Sequence, residues 1–120
     1  MKPKILVVDD EWSMRELLKN TLESFGFEPV LAATAQEFEK HVFSFRPDAI
    51  ILDIVLDDLD GTVVYDCLLK KGMDETIPVV FLSALACDVT SKMPEKNRRY
   101  SLVGKPFNPA ELGERLHQII

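Results

Sequence analysis

Three short stretches of this 120-residue chain are apolar without interruption: Ile5-Leu6-Val7-Val8, Ala49-Ile50-Ile51-Leu52 and Val79-Val80-Phe81-Leu82. Four apolar residues in a row leave no polar face for water, so each run fits a strand buried on both sides. Strands of that kind belong to parallel sheets covered by helices, and this limits the fold more than any other feature of the chain. Each run also stops abruptly on a polar side chain: Asp9 and Asp10 after the first, Asp53 after the second, Ser83 after the third. In open α/β sheets, ligands and chemistry collect at the carboxyl ends of the strands. Asp53 is therefore the first candidate for a reactive residue, although a lone aspartate in such a place is more often a turn residue or a helix cap.

Between the runs the spacing becomes helical. Met14, Leu17, Leu18, Thr21, Leu22 and Phe25 recur at intervals of three and four, and Gly26 follows as a C′ residue. Pro29 to Ala32 reads as a short strand with polar flanks, near a sheet edge. Thr34 and Glu37 have the capping-box spacing, Phe38, Val42 and Phe45 form the stripe of the next helix, and Pro47 stops it. Gly61 opens a third helix with Val64 and Leu68 facing inward, and Gly72 ends it. From Ala84 to Arg99 no single helix fits, because Pro94 would break it; a fourth helix there is expected to be irregular. Tyr100 to Val103 is a last, mixed strand. Asn108 can cap the final helix with Pro109 at its first position, and Leu112, Leu116 and Ile119 supply its buried face.

Strand and helix thus alternate five times with short connections, which implies right-handed crossovers and helices on both faces of one sheet. The most apolar strands should be central and the mixed ones should form the edges. The expected fold is α/β: a flavodoxin-like, doubly wound, five-stranded parallel sheet of order 2-1-3-4-5 with an irregular fourth helix. No composition break divides residues 1–120, so a single domain is expected. A net charge of -6 opposes general affinity for nucleic acid or anionic membrane, qualified only locally by the basic stretch Lys92 to Arg99. The apolar run after Lys2 and Lys4 is too short for a signal peptide or a membrane span, so a cytoplasmic protein is expected. Cys67 and Cys87 form no CxxC pair and read as reduced thiols, and His41 and His117 read as surface or helix-face residues rather than ligands.

With all strands pointing one way, Asp9, Asp10, Asp53, Ser83 and Lys105 emerge on one rim. Carboxylates about 4 Å apart repel by about 1 kcal/mol per pair in water and by roughly 4 at an effective dielectric of 20. Something cationic must sit among them. A divalent ion held by few carboxylates, with positions left for water and a phosphate oxygen, is the usual magnesium arrangement. Lys105 adds a second positive charge and Ser83 a hydroxyl. Such a set suits phosphoryl transfer onto Asp53, where catalysis is mainly positioning and charge neutralisation. Asp57, Asp58 and Asp60 read as a solvated acidic loop, not as a second metal site.

At these residues the chain resembles the receiver domain of two-component response regulators. The resemblance is carried by Val7-Val8-Asp9-Asp10-Glu11, the strand ending in Asp53, Asp60-Gly61, Ser83-Ala84 and Lys105-Pro106-Phe107, and it covers the whole chain in order without a large insertion. It implies that Asp53 is the phospho-acceptor and Asp10 a direct Mg2+ ligand, with Asp9 acting chiefly through water and the Val55 backbone carbonyl completing the set with Asp53. Lys105 and Ser83 would hold the phosphoryl group. A histidine kinase or phosphotransfer protein would be the donor and a downstream protein effector would read the output; Met14 and Leu17 make the first helix's stripe wider than a sheet needs, which fits either ordinary core or, with Pro106 and Phe107, the donor's docking face. The chain would catalyse only its own phosphorylation and dephosphorylation, with no direct nucleic-acid binding and no membrane partner. The alternative is a pseudo-receiver, an interaction module that works without phosphate. An aspartate-nucleophile phosphatase fits less well, since such enzymes carry a second acid where Val55 stands. A flavin-binding role is weaker again, because Asp9-Asp10-Glu11-Trp12 is a poor phosphate cradle.

Several positions depart from the family pattern. Leu56 and Asp57 replace the usual Met-Pro, and Leu102 stands three before the lysine, where an aromatic or histidine ring normally serves as a switch. Tyr100 lies on the same strand face, two residues earlier. Together with Pro94 these changes remodel the face through which regulators usually dimerise, so signalling is expected not to use the usual dimer of DNA-binding regulators. Val55 and Leu85 are apolar where polar groups could orient an attacking water, which predicts a long-lived phosphoaspartate. Trp12 is the sole tryptophan and follows the acidic pair, so Mg2+ should change its emission; a silent titration would mean the site is misplaced. The chain is expected to be either a stand-alone receiver or one taken from a longer regulator.

Overall fold

The computed structural model describes residues 2–56, 59–83, 100–104 and 108–120, with the backbone alone for 83 and 100–104. Its elements run β1 (Lys4–Val8), α1 (Trp12–Ser24), β2 (Glu28–Ala32), α2 (Ala35–Ser44), β3 (Ala49–Asp53), β4 (Val55–Leu56), β5 (Leu59–Asp60), α3 (Gly61–Lys70), β6 (Val79–Ser83), β7 (Tyr100–Gly104) and α4 (Pro109–Ile119). The main sheet has the order β2-β1-β3-β6-β7, and every pairing in it is parallel. Setting aside the two-residue strands β4 and β5, which pair only with each other, this is the expected 2-1-3-4-5 order. The three uninterrupted apolar strands are the inner ones, and the mixed strands β2 and β7 are the edges. The expected irregular fourth helix, with Pro94 and the basic stretch Lys92 to Arg99, lies outside the described residues.

The central strands are apolar throughout because the side chains of each alternate between two cores. Leu6, Val8, Ile50, Leu52, Val79 and Phe81 face Phe38 and Val42 of α2 and Tyr65 and Leu68 of α3. Ile5, Val7, Ala49, Ile51, Val80 and Leu82 face Leu18 and Leu22 of α1 and Leu112 and Leu116 of α4. Sliding any inner strand by one residue would exchange its two sets of side chains, so both cores together fix the register and hence the level at which each strand ends.

The helix boundaries follow the local chemistry. Thr34 caps α2, its hydroxyl accepting the Glu37 amide at 3.1 Å, while the Glu37 carboxylate reaches back to the Ala33 amide at 2.6 Å. Asn108 caps α4 with Pro109 at the start of the helix. Gly26 (φ 86°) and Gly72 (φ 107°) leave α1 and α3 through the left-handed region, which side chains disfavour. His117 packs against Phe27, ring centroids 4.7 Å apart, as a helix-face residue. No described helix is long and apolar enough to cross a membrane.

At the amino-terminal end of the sheet, Asp74 ties two loops together. One of its oxygens accepts from the Thr76 amide and hydroxyl at 2.9 and 2.6 Å, and the other from Arg46 Nε at 2.8 Å. The Thr76 hydroxyl, then Arg46, hold its carboxyl at a pKa of about 2, below the ordinary 3.8. A depressed carboxylate stabilises the fold above its unfolded-state pKa and loses that contribution as pH falls through the folded value. Because the pair is solvent-exposed, Asp74→Asn is expected to cost under about 1 kcal/mol at neutral pH. Urea unfolding of parent and variant should show the difference shrinking as pH is lowered from about 4 toward 2.

Candidate functional site

The carboxyl ends of β1 and β3 lie side by side because Val8 pairs with Leu52, which sets Asp9 next to Asp53. Asp9 extends the β1 ladder by one bond, its amide donating to the Ala32 carbonyl at 3.1 Å, and its side chain is fully buried. Asp53 is the last residue of β3, paired with Leu82 and 6% exposed. Asp10 follows in the turn and is exposed. Carboxylate oxygens of all three lie within 4.8 Å of one another.

Short bonds set how these acids point. Asp9 Oδ1 accepts the Glu11 amide at 2.9 Å, and Asp53 Oδ1 accepts the Val55 amide at 3.2 Å, so each carboxylate is held against the backbone two residues on. The Asp9 carbonyl accepts from the Arg15 guanidinium at 2.8 Å. Behind Asp53 the chain turns back through β4 and β5, Val55 opposite Asp60 and Leu56 opposite Leu59. Gly61 then passes so close that its amide donates to the Ile54 carbonyl, and a Cβ there would collide with the Asp53 carbonyl oxygen. Glycine is required at that point for close approach rather than for an unusual φ.

Of the expected site residues, the structure brings together Asp9, Asp10 and Asp53. The backbone of Ser83 pairs with Gly104 at the same end of the sheet. The Ser83 side chain and the whole of Lys105 lie outside the described residues, as do Asp57, Asp58 and Leu85. Asp60 corrects the acidic-loop expectation. It is the N-cap of α3, half-buried, its Oδ1 accepting the Thr62 amide and hydroxyl at 2.9 and 2.6 Å. Sequence reasoning also passed over Arg15 and the contact behind Gly61. Four apolar side chains on the elements that follow the acids are exposed: Trp12 at 67% and Leu17 at 45% on α1, Val55 at 69% on β4 and Leu59 at 50% on β5.

Three close carboxylates repel one another, and partial burial raises the cost. Hard oxygen donors with this mutual spacing fit Mg2+, which takes one or a few carboxylates and keeps water in its other positions. The acidic triad is typical of the magnesium site of a receiver.

The chain is similar to proteins already known. A family model described as the response regulator receiver domain matches residues 5–117. Over 120 residues the chain is 32% identical to the alkaline phosphatase synthesis transcriptional regulatory protein PhoP of Bacillus subtilis (strain 168), a match covering 100% of this chain and 49% of that protein. The chain spans about half the length of the curated relatives it matches. The chemotaxis response regulator CheY4 of Vibrio cholerae has the same fold, with a TM-score of 0.87 at 24% identity over 100% of each chain. So does the receiver domain of the sensor histidine kinase PA1611 from Pseudomonas aeruginosa PAO1, solved with magnesium coordinated in its active-site cleft, with a TM-score of 0.84 at 24% identity over 98% of this chain and 97% of that one. With the family model covering nearly its full length, the chain belongs to the response regulator receiver domains of two-component signalling.

Proposed function

We propose that this receiver is the phosphoacceptor switch of a phosphorelay, with Asp53 as the residue that takes the phosphoryl group. Receivers are phosphoacceptor switches rather than enzymes acting on a released substrate. The observation that carries the proposal is the convergence of the Asp9, Asp10 and Asp53 carboxylates on one rim of the sheet. A carboxylate oxygen of Asp53 attacks the phosphorus of a phosphohistidine; the new O–P bond forms as the N–P bond breaks, and the electron pair returns to the imidazole of the donor. The Val55 amide on Oδ1 limits rotation of the carboxylate and so aims it before the donor arrives. Asp10, Asp53 and the Val55 backbone carbonyl would hold Mg2+, with Asp9 acting through water, and the bound ion would neutralise the charge that the carboxylates and phosphoryl oxygens bring together.

Lys105 and Ser83 complete the site in this reading. The pairing of Ser83 with Gly104 at the carboxyl end of the sheet supports it, since Lys105 is next to Gly104 in the sequence. The donor is a histidine kinase or phosphotransfer protein. Exposed Leu17, one helical turn from Met14, suits a docked helix better than it suits the core. Output passes to a downstream protein effector by contact.

Intact mass after incubation with Mg2+ and acetyl phosphate tests the proposal. The parent should gain one phosphoryl group and Asp53→Asn none; a parent that never gains it would instead make the chain an interaction module working without phosphate. Val55 presents to solvent beside the acceptor an apolar side chain, which cannot itself orient a water. The phosphoaspartate should therefore be long-lived, and Val55→Asn should shorten its life several-fold, followed as loss of the added mass in Mg2+ without a partner.

A further inference from the structure

Arg15 lies in the opening turn of α1, where its amide donates to the Glu11 carbonyl at 3.1 Å. Its guanidinium reaches back over the turn to the Asp9 carbonyl at 2.8 Å. That carbonyl belongs to the peptide joining Asp9 to Asp10. Asp9 is already fixed on its amino side by the bond to Ala32 and at its carboxylate by the Glu11 amide. Asp10 is exposed, and like charge pushes it away from Asp9 and Asp53.

A guanidinium near a cation site is unfavourable on charge alone, because it repels the incoming ion. We infer that Arg15 is a positioning residue: by gripping the Asp9 carbonyl it orients the Asp9–Asp10 peptide and keeps the Asp10 carboxylate with those of Asp9 and Asp53. The inference rests on reading that cluster as the Mg2+ site. Charge and positioning predict opposite signs. If Arg15 acted only as a charge, removing it would tighten Mg2+ binding; as a positioning residue, its removal loosens binding despite the relief of repulsion. A planar fork holds a carbonyl more firmly than a flexible ammonium does, so lysine should restore only part of the effect.

Calorimetric titration with Mg2+ of the parent, Arg15→Ala and Arg15→Lys, together with hydrogen exchange of the Glu11 amide in metal-free buffer, tests this. Arg15→Ala should bind Mg2+ roughly tenfold more weakly, as loss of an outer partner of a metal ligand commonly does. Its Glu11 amide should exchange faster, and Arg15→Lys should fall between variant and parent in both readings. Equal or tighter binding by Arg15→Ala beside a parent that binds, or unchanged Glu11 exchange, would overturn the inference and leave the metal site standing. A parent that does not bind Mg2+ would overturn both.

Discussion

Asp53→Asn should make the protein more stable in metal-free buffer while ending its capacity to take a phosphoryl group. The substitution keeps the shape of the side chain and removes one of three charges whose oxygens lie within 4.8 Å of one another. Two repulsive pairs disappear, each worth about 1 kcal/mol in water and roughly 4 at an effective dielectric of 20. Exposed Asp10 draws the average toward the watery limit, so a net gain of about 1–2 kcal/mol is expected. In a domain of this length that is a rise in melting temperature of roughly 4–8 °C. Mg2+ should reverse the order, stabilising the parent by binding the native state while doing much less for the variant. A variant less stable than the parent without metal would show that charge crowding does not dominate the energetics of the rim.

Gly61→Ala should have the other large effect, in the opposite direction. A Cβ at this position overlaps the Asp53 carbonyl oxygen and comes within 3.1 Å of Ile54 Cα and 3.2 Å of the Asp53 carbonyl carbon. All three atoms are backbone, so no side chain can turn aside to make room. Overpacking of this kind costs about 1–3 kcal/mol, and the atoms that must yield carry Asp53, the proposed acceptor. Chemical denaturation should show the loss of stability, and Mg2+ titration should show weaker binding. Gly113→Ala is the control. The three atoms nearest a Cβ there all belong to the ring of Phe25, a half-buried side chain that can shift, and alanine regains helix propensity of about 1 kcal/mol in α4. It should change stability little and leave Mg2+ binding alone.

These two sites differ in how plainly the sequence announced them. Ile5–Val8, Ala49–Leu52 and Val79–Leu82 declared themselves because a strand buried on both faces tolerates no polar residue, and parallel strands held in one register must end on one rim. That brought Asp9, Asp10 and Asp53 together before any coordinates. Thr34, Asn108, Gly26 and Gly72 were legible for a similar reason: caps and left-handed exits each demand a narrow choice of residue.

What stayed hidden depends on contacts that leave no periodic mark. In the sequence Asp60 reads with Asp57 and Asp58 as a solvated acid, although a helix opening at Gly61 makes it the N-cap. The pairing of β4 with β5, where Leu56 is buried and Leu59 half exposed, is only two residues long on each strand and leaves no mark in apolar spacing. The bond from Arg15 to Asp9 spans six residues across a strand-to-helix turn, and neither helix nor strand periodicity reports such a reach. Leu17 is the opposite case. It made the α1 stripe wider than the sheet needs, and it is the stripe residue that stands 45% exposed.

Asp53, rather than a neighbouring acid, is the residue proposed to accept the phosphoryl group. Borohydride reduces an acyl phosphate and so turns the labelled aspartate into homoserine, which peptide mapping can locate. After phosphorylation with Mg2+ and acetyl phosphate, homoserine should appear at position 53 alone, with Asp9 and Asp10 unchanged. Homoserine at either of those residues, or at none, would contradict the assignment.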